Sequence, residues 1–214
     1  VALADLAGSA VRLIGDGGTT SHTYLQLSNP GSRPVTVKIP AYTQFSPQDP
    51  SAQALTTVRD GLATVPAGQT VEVRLETVCS GRRSQPPPGP QGGLFRLTQP
   101  PPYVLSIVET SLRLAEQGAY DQVPMPRCKA LETVRQMALW YEAAQGSPSP
   151  ADQVTPQTIA EQVYRQLGKA PEELTPRERE QVEQGSQNLF EAVDLTVKTS
   201  RQGAPSTCTC RPRG

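Results

Sequence analysis

The chain has one histidine, His22, four lysines and two asparagines among 214 residues, and its charges cancel to zero. Each scarcity excludes something. Ser–His–Asp and Cys–His chemistry needs an imidazole beside the nucleophile. His22 opens a strand-like run with neither signature around it, and reads as a strand-edge or surface residue. Twenty basic residues balance twenty acidic ones, so no cationic surplus remains to neutralise nucleic-acid phosphates. No apolar run approaches the roughly 18 residues that a membrane span requires. Neither Asn29 nor Asn188 stands in an N-x-Ser/Thr sequon. The carboxylate pairs, Glu172 with Glu173 and Glu178 with Glu180, fall on polar helix surfaces, whereas a general acid needs burial. Gly15-Asp16-Gly17-Gly18 lacks the lysine and the strand-to-helix context of a phosphate loop, and reads as a flexible link. No cofactor is expected.

Proline is abundant instead, with 22 residues, about double the usual share of roughly 5%. That weighs against long helices throughout and against a parallel sheet of many central strands. Over residues 1–80 the pattern is strand-like. Leu25 and Leu27 alternate with Tyr24 and Gln26, Asn29-Pro30-Gly31-Ser32 supplies a turn, and Val35, Val37 and Ile39 alternate again. A second pair follows, over 62–65 and 70–78, across Pro66-Ala67-Gly68-Gln69. Consecutive runs with such turns suggest hairpins or a meander within a β-sandwich. Residues 84–93 and Gln99-Pro100-Pro101-Pro102 hold neither a helix nor a central strand, and read as a stiff loop between modules.

Residues 103–200 carry helical periodicity. Val104, Ile107, Val108 and Leu112 share a face, and a second helix is expected over 128–144. Thr155-Pro156 opens a third as N-cap and first residue, with Gly168 ending it. Thr175 and Glu178 form a capping box for the last. Val193, Leu195 and Val197 also alternate, so 194–199 reads as helix or as a returning strand. The expected fold is α+β: an N-terminal immunoglobulin-like β-sandwich over 1–80 with an apolar extension, a Pro/Gly-rich hinge over 81–102, a helical bundle over 103–200 and a cysteine-containing tail over 201–214.

The four cysteines are Cys79, Cys128, Cys208 and Cys210. An even number suits disulfides in an oxidising compartment. A bridge within Cys208-Thr209-Cys210 is strained. The expected arrangement therefore sends each tail cysteine to one of Cys79 and Cys128. A zinc site lacks the usual paired C-x2-C spacing but stays open, as do free thiols. Val1 as first residue suits a chain from which a signal peptide has been removed. An extracellular or cell-surface location follows from these signals together.

Two resemblances point the same way. The pattern Leu25-x-Leu27-x-Asn29-Pro30-Gly31, with the later Val65-Pro66-Ala67-Gly68-Gln69-Thr70-Val71, resembles immunoglobulin-like modules of secreted bacterial proteins. Arg135-Gln136-Met137-Ala138-Leu139-Trp140 resembles the T-Q-x-A-[IL]-W helix of thioester-forming adhesin modules on Gram-positive surfaces. Gln136 and Trp140 match, Arg135 stands where threonine is expected, and no Cys-Tyr-Asn segment exists, so the thioester itself is not implied. The resemblance implies a secreted or surface protein of related build.

The apolar leader, with Leu3, Leu6, Val11, Leu13 and Ile14, precedes the glycine-rich link. Such an extension suits donor-strand exchange between identical subunits. The alternative makes 10–14 the first strand of the chain's own sandwich. The function expected is a non-enzymatic structural or adhesive protein, a subunit of an extracellular homo-oligomer or filament. A monomeric module binding a protein or glycan is the second reading, and an enzyme with an unrecognised site the third. Ser147, Ser149, Thr155 and Thr175, all near prolines, are candidates for O-linked glycans.

Overall fold

A computed structural model describes residues 1–3, 5, 11–15, 22–83, 85, 86 and 88–202. Eight strands come first: β1 (Val11–Gly15), β2 (His22–Ser28), β3 (Val35–Ile39), β4 (Gln44–Pro47), β5 (Leu55–Thr57), β6 (Gly61–Val65), β7 (Thr70–Cys79) and β8 (Gly93–Thr98). Four helices follow: α1 (Pro102–Glu116), α2 (Arg127–Ala143), α3 (Pro156–Leu167) and α4 (Pro176–Gln202). The α+β expectation holds, with the helices C-terminal. The immunoglobulin-like sandwich is replaced by a different arrangement. Six antiparallel strands close into a barrel in the order β1-β2-β7-β5-β4-β8, and β3 pairs with β6 in a separate two-stranded sheet.

Closure depends on β8, which lies inside the stretch read from sequence as a hinge. It bonds β1 on one side, with Val11 opposite Phe95, and β4 on the other, with Phe45 opposite Leu97. The alternating faces then send Leu13, Leu25, Phe45, Leu55 and Phe95 inside, each at 0 or 1% exposure. Val37, Ile39 and Val65 of the two-stranded sheet join that same core.

The two early turns do not make hairpins. β2 pairs with β1 and β7, while β3 pairs with β6, so each turn carries the chain from one sheet to the other. The reason is visible at Asn29, which is 4% exposed. Its side-chain amide donates to the carbonyls of Arg33, Val65 and Pro66, and its backbone N–H donates to Gln69 O at 2.9 Å. One buried residue satisfies both turns at once.

The described part of the leader packs on the barrel. Val11 and Leu13 are buried in β1, Ile14 is half-buried beside them, and Leu3 is 3% exposed in the barrel core. Val1 accepts from Lys38 N–H and donates its ammonium to Thr36 O, adding the N-terminus to β3. Leu6 lies outside the described residues.

The helix signals behave as the sequence indicates. The Thr155 hydroxyl caps α3, and Gly168 ends it at φ 64°. Thr175 and Glu178 bond reciprocally at the start of α4. Residues 193–199 are helical: Val193 and Val197 are buried four apart while Leu195 is 42% exposed. On α1, Leu112 turns outward and Ser111 takes the buried position, because it receives a hydrogen bond from Arg135. Among the described residues no helix is long and apolar enough to cross a membrane.

Candidate functional site: the junction of barrel and helices

Helix α2 faces the barrel with Arg135, Gln136 and Trp140, and each is fixed by a different polar bond. Arg135, with 4% of its side chain exposed, donates from Nε to Ser111 Oγ at 3.0 Å and lies 3.9 Å from Glu76. Burial lowers its pKa, and the Glu76 carboxylate opposes that shift. Glu76 is shared with Arg59 at 3.0 Å, so the buried cation is balanced at the barrel wall.

Gln136 addresses the backbone of Cys79, the last residue of β7. Its Oε1 accepts from the Cys79 N–H at 2.8 Å, and its Nε2 donates to the Cys79 carbonyl at 2.8 Å. The side-chain amide thus does for β7 what a neighbouring strand would do. The Cys79 thiol is fully buried, and burial pushes its pKa up to about 12. At neutral pH it is a protonated core group rather than a nucleophile. Trp140 donates from its indole N–H to Gln53 Oε1 at 3.2 Å. Gln53, 1% exposed, in turn donates to the carbonyls of Gln85 and Pro86 and so pins the proline-rich segment. Trp140 also packs against both apolar cores. The two residues that carry the resemblance to the adhesin helix, Gln136 and Trp140, fasten α2 to the barrel.

Beside this clasp the surface opens. A cleft of about 370 Å³ lies between β7, α2 and α3, with Glu76, Arg135 and Gln136 on its walls. A wider opening of about 910 Å³ runs over Arg83, Gln157, Glu161 and Arg165. The two meet at Trp140, Gln162 and Gln166, which line both. Arg83 is braced across this groove. Its guanidinium donates to Gln153 O at 3.0 Å, to Gln162 Oε1 at 2.9 Å and to Thr158 O at 3.4 Å. A third cavity, of about 460 Å³, lies on the other flank of α3, and shares Met125, Ile159, Val163 and Leu189 with the first. Ser186 lines it, 3% exposed, and its hydroxyl has no hydrogen-bond partner among the described residues.

Of the cysteines expected to bridge, Cys79 is buried and Cys128 exposed, and among the described residues neither is bridged. Cys208 and Cys210 lie outside the described residues. Among the described residues no cluster of histidine, cysteine or carboxylates could hold a metal. The groove residues Arg83, Gln162 and Arg165, and Gln53 bonded to Trp140, carry no sequence motif. Gln136 and Trp140 stand in a recognisable pattern. Neither a scan against protein-family models nor searches of curated proteins and solved structures return a match to this chain.

Proposed function

We propose that this chain is an extracellular, non-enzymatic adhesive module that recognises its target through the groove around Trp140. The observation that carries this reading is the pre-formed character of the groove. The barrel, the loop bearing Arg83, and helices α2 and α3 each contribute a wall, and their polar groups are bonded to one another before any ligand arrives. Rigid walls lower the ordering cost of binding, and concave surfaces with a few convergent polar groups are the usual form of ligand sites. The indole N–H is committed to Gln53, which fixes the ring as a wall.

The leader supports a local role rather than strand exchange. β1 is bonded along both edges within a closed barrel, so donating it to a neighbour would break two ladders in the donor. A monomeric recognition module therefore fits the geometry better than a fibre subunit.

The test is retention on an array of immobilised oligosaccharides and peptides. Gln166→Trp fills the meeting point of both openings without adding charge and is expected to abolish retention while the melting temperature stays unchanged. An array that retains nothing, or retention indifferent to Gln166→Trp, overturns the reading.

A further inference from the structure

The wider opening has a charge pattern with direct consequences for its ligand. Two arginines, Arg83 and Arg165, line it against one glutamate, Glu161. Arg83 is half-buried, and after desolvation the positive charge of Arg165 is the largest influence lowering its pKa, with Glu161 opposing. The two guanidinium groups therefore repel across the groove. Arg83 cannot relieve this by moving, because three acceptors on α3 and the preceding loop hold it. An anion between them converts a repulsion into two attractions: Arg83, with three of its N–H bonds already used, contributes its charge, and a planar carboxylate matches the guanidinium fork of Arg165.

The remaining lining is not that of a simple anion site. Gln157, whose Nε2 donates to Glu161, Gln162, whose Oε1 accepts from Arg83, and Gln166 line it along α3 with part or all of their carboxamides turned to a ligand's use, and Trp140 supplies an aromatic wall. A carboxamide both donates and accepts, as a sugar hydroxyl does. An indole face offers a flat apolar surface suited to the C–H face of a pyranose ring. An acidic peptide would use the arginines equally well, but has less use for three amides beside one ring.

We infer that the ligand of this groove is an acidic saccharide, with a sugar ring on Trp140 and its carboxylate between Arg83 and Arg165. This rests on the recognition reading above and narrows it to a ligand class.

Trp140 is the only tryptophan in the chain, so its emission reports the groove directly. The folded chain is titrated with a trigalacturonate, with the neutral galactose trisaccharide of the same length, and with a penta-glutamate peptide. The expected result is a saturable emission change for trigalacturonate at an affinity at least about tenfold above the neutral sugar. That advantage shrinks as salt rises from 20 to 300 mM. Arg165→Gln, on the exposed side of α3, is expected to bring the acidic sugar down to the neutral one without changing the melting curve. Equal binding of both sugars overturns the acidic assignment and leaves the recognition reading standing. Binding of penta-glutamate but neither sugar replaces the saccharide with a peptide. No response to any of the three overturns the inference, while the array with Gln166→Trp still decides the broader reading.

Discussion

In the barrel, every strand bonds a neighbour on both edges, and Phe45 and Phe95 fill the interior at 0 and 1% exposure. Around α3 the packing is of another kind. Cavities of about 370 and 460 Å³ remain on its two flanks, and its own small cluster consists of Ala160, Tyr164 and Leu174 with Val182 at the edge. Ile159 anchors the helix in the main helical core, and its termini and polar ties hold the rest: the Thr155 cap, the left-handed Gly168, and two bonds from Arg83, to Thr158 O and Gln162 Oε1. Closure removes edges and space together. Around α3 space is kept, and polar ties take over where apolar contact is given up. Local stability is expected to follow the same division.

The strongest way to break this comparison is at the joint. Gln136→Ala leaves the Cys79 N–H and carbonyl buried without a partner, an expected loss of about 2–4 kcal/mol. Urea unfolding followed by far-ultraviolet dichroism measures it. A loss below about 1 kcal/mol would mean that apolar contact alone holds the helices to the barrel.

The next effect is on the alkaline side. The Cys79 thiol titrates near 9 when exposed and is raised to about 12 in the fold. A raised folded pKa means the contribution is complete below pH 9 and is lost as pH climbs from 9 toward 12. At pH 10 the loss is about 1–2 kcal/mol. Burial also raises Tyr103 and Tyr120, which adds loss above the ordinary tyrosine range. Cys79→Ala should flatten the unfolding midpoint between pH 8 and 10, and an unchanged decline there would assign it to other groups.

The smallest effect sharpens the comparison most. Gly168 sits at φ 64°, and an added Cβ there meets nothing within 4 Å. Gly168→Ala therefore costs backbone strain alone, about 1 kcal/mol. Hydrogen exchange should quicken in α3 and stay unchanged in β2 and β7. Equal acceleration in both would show that the two regions open as one unit.

Much of the local structure was legible, because local chemistry decides it. The alternation in β2, β3 and β7, the Thr155-Pro156 start, the Gly168 stop and the Thr175–Glu178 box all involve residues within a few positions of one another. Closure of the barrel was not legible. β4 and β5 have four and three residues, too short to show a period, and β8 sits between two proline clusters. The turn at Asn29 looks like a hairpin turn until Val65 and Pro66 arrive from 36 and 37 residues away. The groove was legible only at Gln136 and Trp140. Arg83 and Gln53 gain their roles from partners 70 and 87 residues distant, which no spacing rule reports.

The pairing of β1 with β8 also bears on how quickly the chain reaches its fold. Val11 meets Phe95 and Leu13 meets Gly93, so the ladder that shuts the barrel encloses some eighty residues. The entropy of closing such a loop is lost before the contacts that reward it form. Folding of this half is expected to be slow compared with its helices, with the β8 edges of β1 and β4 unpaired until late. During that interval the nascent barrel has the open edges that the finished one lacks, and the interval, rather than the native state, is when neighbouring chains can add a strand.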